Sequence, residues 1–410
     1  LGTNSLGQLG DGTDEDRFYP APVLTNLTVT KILACSTHTL AIANNQLYSF
    51  GSNIYGQLGL GDTTTRYTPT LVESLSNHSI VAVACGISHS LALTESGLVF
   101  AFGDNSYGQI GTGTTTVTLV PFRVQHILNT KKIIGITAAG QFSVALADDG
   151  SVYSWGRGVA LGDGKFTGRT LPYPVSTLNG KRVKLISASP TSAYALLRDG
   201  TLYAWGSNTQ GELGQTGISS SSVPIPVAFN SSYPIVSISG SPSSSFVLAL
   251  ASNGTAFGFG NNTFGSLGDG TYSTPKYPIL TANSKPDRYI TAVSAGRSHS
   301  YFLYTGTSCY GILFDDSTVC SWHGTCVALD TCVCRRGYSG LDCSYATCNN
   351  INSTEPHVCS SHGSCVDADV CVCQQGYRGQ FCEIKQSGYL FGSGDNSDSQ
   401  LADRNIGIST

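Results

Sequence analysis

The chain is 410 residues long, with 48 glycines, no methionine and a formal net charge of −4. Only 12% of it is Asp, Glu, Lys or Arg, about half the usual share, and no run of Lys or Arg supplies the basic patch that nucleic acid or an acidic membrane surface needs. No apolar stretch is long enough to span a bilayer, so neither a nucleic-acid partner nor a membrane span is expected; lacking an initiator Met and a signal peptide, the chain reads as a mature or excised portion.

In chain order, one phrase returns at a spacing of about fifty residues, the range of solenoids, propellers and arrays. It stands at Gly2 (GTNSLGQLGDG), Gly51 (GSNIYGQLGLGD), Gly103 (GDNSYGQIGTG), Gly206 (GSNTQGELGQ) and Gly260 (GNNTFGSLGDG), with a worn copy at Gly156 (GRGVALGDG) and a seventh at Gly392 (GSGDNSDSQLAD). Between phrases the same pieces recur. In residues 80–103 an apolar run (80–85), a Gly-containing break, a second run (89–93), a turn (95–97) and an alternating stretch (98–102) follow one another. Short β-branched or aromatic runs divided by Gly, Ser and Asn read as strands and turns. Pairs of such runs begin near Val29, Ile80, Lys132, Val183, Ile235 and Ile290. Six strand pairs and seven phrases predict an all-β propeller whose circle is almost complete. The phrase's glycines allow positive φ and close backbone approach, and its Asn tolerates the left-handed region. Its Leu or Ile (Leu9, Leu58, Ile110, Leu213, Leu267) is expected to plug the gap between blades. It is no phosphate loop, because no helix pattern follows and no GK[ST] occurs.

The phrase G-S-N-x-x-G-Q-L-G, with A-C-G-x-x-H-S-L-A-L upstream, resembles the RCC1-type repeat of seven-bladed propellers over residues 1 to about 305 and 388 to 410. Kelch repeats share the period but carry a double glycine that is absent here. The family embraces a nuclear exchange factor, a plant ultraviolet receptor and secreted binding proteins, so the resemblance implies the fold and leaves function open. The G-W-R-H-T phrases and tryptophan cluster of the light receptor are missing, for the repeats hold only Trp155 and Trp205. Nothing points to chromatin or GTPase work.

Twelve of the fourteen cysteines fall in two sixes of identical spacing: Cys309, Cys320, Cys326, Cys332, Cys334, Cys343, and Cys348, Cys359, Cys365, Cys371, Cys373, Cys382. Each six carries C-S-x-H-G-x-C and ends on GYSGLDC or GYRGQFC. This density cannot fill a packed core and reads as a disulfide framework, for which sequence alone leaves fifteen pairings per module. The pattern resembles EGF-like modules of the tenascin and teneurin type. That resemblance implies Cys309–Cys326, Cys320–Cys332 and Cys334–Cys343 in the first module, and Cys348–Cys365, Cys359–Cys371 and Cys373–Cys382 in the second. Zinc is disfavoured because the only close pair in each module is C-x-C. Calcium is disfavoured because neither 304–308 nor 344–347 holds an acid ahead of the first cysteine. The expected organisation is propeller units at 1–305, EGF-like modules at 306–346 and 347–387, and a returning propeller strand and repeat segment at 388–410, in its own ring or a neighbouring subunit.

Cys35 and Cys85 stand apart, at equivalent places in consecutive units (ILACSTHTLAI and AVACGISHSLAL) and hence on adjacent blades. They are either bridged, if their Cα atoms come within about 7 Å, or two buried small hydrophobes. Six N-x-[ST] acceptors, Asn26, Asn77, Asn230, Asn253, Asn261 and Asn352, accompany the cysteine modules. Together they point to an extracellular glycoprotein, secreted or at the cell surface, with N-linked glycans keeping a charge-poor surface soluble. Asn253 and Asn261 lie near strand turns, where access is in question.

Little in the chain suggests chemistry. His38, His89 and His299 share one repeat position and would face the axis of a ring, but other units hold Phe142, Ser192 and Phe246 there, which suits packing or a local hydrogen bond better than a metal. The acidic turn Asp14-Glu15-Asp16 reads as a solvated loop rather than a cation site. Without H-E-x-x-H, G-x-S-x-G or a framed carboxylate pair, the chain is not read as an enzyme, and no catalytic, cofactor or metal residue is assigned.

Ring arithmetic carries the functional expectation. The chain opens and closes within a unit, so about thirty residues of the circle are absent or come from elsewhere. The module pair interrupts the turn between Tyr304 and Tyr389, leaving about nine residues, a reach of ~30 Å, to return the chain. Either the modules fold back at 344–347, or residues 388–410 complete a neighbouring propeller, a head-to-tail contact that builds a filament. The chain is thus expected to be an extracellular structural or adhesive protein, a filament subunit joined by strand exchange. Its partner would be another copy, or an extracellular receptor or matrix protein. The alternatives are a secreted protein-binding or inhibitory propeller with an aromatic loop face and, behind it, a carbohydrate-active enzyme with paired carboxylates in a pocket.

Overall fold

A computed structural model describes residues 2–281, 289–305, 308–309, 312–313, 318–328 and 331–385. The chain divides into two compact units, Leu1–Tyr304 and Thr305–Thr410.

The first unit is a β-propeller of five complete four-stranded blades followed by the strand pair of a sixth. The second blade shows the pattern: Ile80–Cys85, His89–Thr94, Val99–Gly103 and Thr118–Arg123 lie side by side in chain order, each antiparallel to the next. The six first strands are Val29–Ala34, Ile80–Cys85, Ile133–Ala139, Val183–Ser189, Ile235–Gly240 and Tyr289–Ala295, each beginning within one residue of the start read from sequence. In the five complete blades the second strands, His38–Ala43 to Phe246–Ala251, are buried from end to end. Flanked by a strand on each edge and covered on each face, they are written as unbroken runs of apolar and small residues (HTLAIA, HSLALT, FSVALA) instead of alternating ones.

The fourth strands are the element that the sequence reading lacks. Arg66–Leu71, Thr118–Arg123, Arg169–Pro174 and Ser220–Pro226 each contain a proline, Pro69, Pro121, Pro172 and Pro224. Proline reads as a break in a strand pattern. Here every one of these strands is the outer edge of its blade, where a missing N–H breaks no ladder and discourages edge-to-edge pairing.

The phrase is the loop between third and fourth strands, and its asparagine is a buried clasp. The Oδ1 of Asn4, Asn53, Asn105, Asn208 and Asn262 accepts the N–H of Leu9, Leu58, Ile110, Leu213 and Leu267 respectively, each at 2.9 Å. The Nδ2 reaches across the loop, that of Asn53 donating to the Asp62 carbonyl at 2.9 Å. None of these five has positive φ, so the left-handed region that asparagine tolerates is not used: the side chain, not the backbone, makes this residue necessary. Glycine does the turning. Gly56 has φ +74°, and a Cβ there would lie 2.5 Å from the Leu119 side chain. Leu58, Ile110, Leu213 and Leu267 are fully buried. Ile110 packs with Leu91 of one blade and Trp155 of the next, and Leu213 with Tyr194 and Phe259, whereas Leu9 is half-buried. In the worn phrase a 3-10 turn, Gly158–Ala160, replaces the clasp and buried Leu161 takes the plug's place.

Adjacent blades are tied at their seams. Thr39, Ser90 and Ser143 donate their hydroxyls to phrase carbonyls of the preceding unit, Gln8, Gln57 and Gln109. Ser187 Oγ accepts the N–H of Gly240, Ser239 Oγ accepts that of Ala295, and Ser241 Oγ donates to the Gly296 carbonyl. Between the first two blades the tie is a disulfide, Cys35–Cys85, with Cα atoms 6.0 Å apart. The two cysteines are not at equivalent places, as the motif alignment has them. Cys35 N–H donates to the His38 carbonyl as Gly86 N–H donates to that of His89, so Cys35 is the counterpart of Gly86. The offset lets them meet. Successive strand residues point to opposite faces, so residues at one position of two blades look the same way round, while neighbours by one look at each other.

The second unit holds the two cysteine modules. Its disulfides are Cys320–Cys332, Cys334–Cys343, Cys348–Cys365, Cys359–Cys371 and Cys373–Cys382, and no described cysteine is free. The side chain of Cys309, with its expected bond to Cys326, lies outside the described residues. Each module is a hairpin, Gly324–Ala328 with Thr331–Cys334 and Gly363–Asp367 with Val370–Cys373, under a histidine stacked on a tyrosine, His323 on Tyr338 at 3.7 Å and His362 on Tyr377 at 3.8 Å. The modules bond directly to each other. Tyr345–Cys348 pairs with Tyr338–Ser339, and the Tyr338 hydroxyl donates to Asp367.

Candidate functional site

Strand polarity sorts the surface of the propeller. Consecutive strands are antiparallel, so the start of each first strand and the turn between second and third strands share one end, and the phrase loops share the other. At the phrase end the variable positions of the phrase carry exposed apolar groups: Leu6, Ile54 (63%), Tyr55, Tyr107 and Phe264 (70%). The Arg157 guanidinium lies 5.3 Å from the centre of the Tyr107 ring. Phrase carboxylates are paired with arginines, Asp11 with Arg17, and Asp62 and Asp163 with the fourth-strand Arg66 and Arg169, each at 2.6 Å. The Thr13 hydroxyl and Arg17 hold the Asp11 carboxyl well below the usual carboxylate range, and Arg66 lowers that of Asp62. Asp14, Glu15 and Asp16 are exposed, with Asp16 accepting the N–H of Asn4 at 2.7 Å.

The opposite end carries the exposed glycan acceptors. Asn26, Asn77 and Asn230 precede first strands, Asn253 sits in the turn between second and third strands of the fifth blade, and all four are exposed. Asn261 is at the phrase end and half-buried, its Oδ1 accepting the N–H and hydroxyl of Thr263. Half-buried Asn352 donates Nδ2 to Ser339 Oγ at 3.0 Å. Beside Asn77 is a hollow of about 340 Å³ lined by Asn77, His78, Ser79, Thr94, Glu95 and Ser96, with Glu95 its single carboxylate.

The repeat-position histidines do not act together. His38 and His89 are fully buried, each bonded through Nε2 to a serine of the next blade, Ser90 at 2.9 Å and Ser143 at 3.0 Å. Each serine's proton is spent on a phrase carbonyl, so its oxygen accepts and Nε2 carries the hydrogen. Burial pushes His38 down to about 3 and His89 to about 4. His299 is exposed and edge-on to Tyr301. Trp155 and Trp205 are fully buried, donating Nε1–H to the carbonyls of Gln109 and Ala160.

The sixth blade differs. Tyr301 and Leu303 of its second strand, Ser300–Thr305, are 66% and 63% exposed, where Leu40 and Ile42 of the first blade are 0% and 1%. Among the described residues this strand pairs only with Tyr289–Ala295. Residues 388–391, the expected third strand, lie outside the described residues.

The Regulator of chromosome condensation (RCC1) repeat matches residues 44–93, 96–146, 199–248 and 253–303, and a second description of that repeat matches 80–109 and 183–212. The ultraviolet-B receptor UVR8 of Arabidopsis thaliana is 30% identical over 305 residues, 73% of this chain and 68% of the receptor. The chain belongs to the RCC1-repeat family. Protein RCC2 of Homo sapiens is 44% identical to this RCC1-repeat chain over 124 residues, 30% of the chain and 24% of RCC2. Yeast RCC1 (Prp20), in its crystal structure with Kap60, has the same fold, with a TM-score of 0.64 at 22% identity over 74% of this chain and 75% of its own. The teneurin-like EGF domain matches residues 356–385 and the EGF-like domain 314–343, so both resemblances drawn from the sequence hold. What sequence reasoning missed in this RCC1-repeat chain is the sorting of its surface, although the signal was present: three of the four exposed acceptors stand just ahead of a first strand.

Proposed function

We propose that this chain is an extracellular, N-glycosylated propeller that binds another protein at its phrase end. The observation that carries the reading is the two-sidedness of the ring. Exposed Leu6, Ile54, Tyr55, Tyr107 and Phe264 stand at one end, and the exposed glycan acceptors gather at the other beside exposed Tyr233, so glycans on those acceptors would leave the phrase end bare. Apolar, aromatic surface with few unpaired charges suits the core of a protein interface. The same fold in yeast RCC1 is seen with a protein, Kap60. The cysteine modules support the compartment, since such frameworks persist in oxidising surroundings. The test compares wild type, a Tyr55→Ser/Tyr107→Ser/Phe264→Ser variant and an Asn77→Gln/Asn253→Gln variant for retention on cell-surface and matrix preparations. The aromatic variant is expected to lose at least ten-fold while the other does not. Retention of the aromatic variant at the wild-type level would sink the reading.

The sixth blade favours a second reading, self-assembly into filaments. The exposed flank of Ser300–Thr305 suits an incoming strand, supplied by residues 388–391 of a neighbouring copy. Electron microscopy of natively purified protein decides it: regular polymers support strand exchange, and dispersed rings refute it.

A further inference from the structure

The seam between the first two blades holds more than a disulfide. The sulfurs of Cys35 and Cys85 and a ring nitrogen of His38 all lie within 4.8 Å of one another. Because the Ser90 hydroxyl donates to the Gln57 carbonyl, His38 keeps its proton on Nε2 and its lone pair on Nδ1. That Nδ1 is buried and has no hydrogen-bond partner. His89 is the internal comparison. It has the same tautomer and a bare Nδ1, but Gly86 stands where Cys35 stands in the first blade.

We propose that reduction of the Cys35–Cys85 bond by a dithiol opens a Zn(II) site made of the two cysteine thiolates and His38 Nδ1, an alternative clasp for the same seam. The dithiol gives two electrons and two protons to the disulfide and becomes a disulfide itself; the S–S bond breaks and two thiols form. Zinc displaces both thiol protons as two Zn–S bonds form, the imidazole is the third ligand, and solvent completes the tetrahedron. Two thiolates on one tetrahedral zinc sit roughly 3.8 Å apart, a spacing that needs little movement from this geometry. The sulfurs stay within reach after reduction because the backbone holds them: Ala34 pairs with Thr39, and Cys85 with Ser90. Two thiolates and Zn(II) sum to zero charge, which a buried site tolerates; Cu(I) would leave a net negative charge. Ligands must be deprotonated to bind, and His38 already presents Nδ1 without a hydrogen-bond partner. Half-buried Cys35 gives the reductant its way in.

The test uses the whole chain, oxidised or dithiol-reduced, titrated with Zn²⁺ alone, as wild type, Cys35→Ser/Cys85→Ser and His38→Phe. Reduction also frees module thiols, so the quantity read is the difference between variants in zinc bound and in the denaturation midpoint reported by tryptophan fluorescence. Reduced wild type is expected to bind one zinc more than the double-serine variant and to gain a higher midpoint, with His38→Phe at least ten-fold weaker at that zinc. The oxidised chain is expected to gain nothing. Equal zinc counts and midpoints across the three reduced proteins would overturn the proposal. His38→Phe installs the residue found at 142 and 246, and its oxidised midpoint checks folding. Should it fail that check, the double-serine comparison decides alone.

Discussion

The two buried histidines make the propeller acid-sensitive in a window where carboxylates stay silent. In the unfolded chain each imidazole takes a proton near pH 6.5; in the fold His38 does so only at about 3 and His89 at about 4. The unfolded state therefore binds more protons between those limits, and the stabilisation is complete above pH 6.5 and is lost as pH falls. At pH 5, about 1.5 units below the unfolded value, each histidine costs about 2 kcal/mol, and the pair about 4 kcal/mol. That is a large share of a domain's ~5–15 kcal/mol, while Asp and Glu, titrating near 4, are still ionised in the unfolded chain. The comparison is with His38→Phe/His89→Phe, since phenylalanine fills the same position at Phe142 and Phe246. Urea denaturation followed by tryptophan fluorescence, at pH 7 and pH 5, reads the propeller through buried Trp155 and Trp205. Wild type is expected to lose about 4 kcal/mol more than the double variant between the two pH values. Equal losses would refute the assignment of neutral, buried imidazoles.

Asn53→Ala strands the Leu58 N–H and the Asp62 carbonyl inside the loop and is expected to cost about 2–4 kcal/mol by urea denaturation; a cost under ~0.5 kcal/mol would mean water replaces the clasp. Gly56→Ala combines left-handed strain with a clash against Leu119, whereas Gly217→Ala, at φ +81° with nothing within 4 Å, has the strain alone. Costs of about 3 and 1 kcal/mol are expected, and equal costs would contradict the packing. Glycopeptide mass spectrometry of protein expressed through a secretory pathway is expected to find Asn26, Asn77, Asn230 and Asn253 occupied and Asn352 least so. The reverse order would show that exposure does not govern access here.

Legibility followed the repeat. Second strands declare themselves because burial on both faces demands unbroken apolar runs, as at 89–94 and 142–147. Fourth strands do not, since proline at 69, 121, 172 and 224 mimics loop sequence until their place at the edge is known. The phrase asparagine was read for its backbone habits; its real task needs a donor and an acceptor far apart in sequence, the Leu58 N–H and the Asp62 carbonyl, and only the closed loop brings them to one side chain. The bridge between Cys35 and Cys85 was left open for a similar reason. Motif alignment set the residues level, and only the strand register shows that a stagger of one turns them face to face.

The seams of this propeller are unequal in strength. Besides their apolar packing, the one between the first two blades carries a covalent bond, while those flanking the fifth carry serine-to-backbone bonds, each worth about 1 kcal/mol net. Local opening is thus expected to part a seam without a disulfide before it parts the one at Cys35–Cys85.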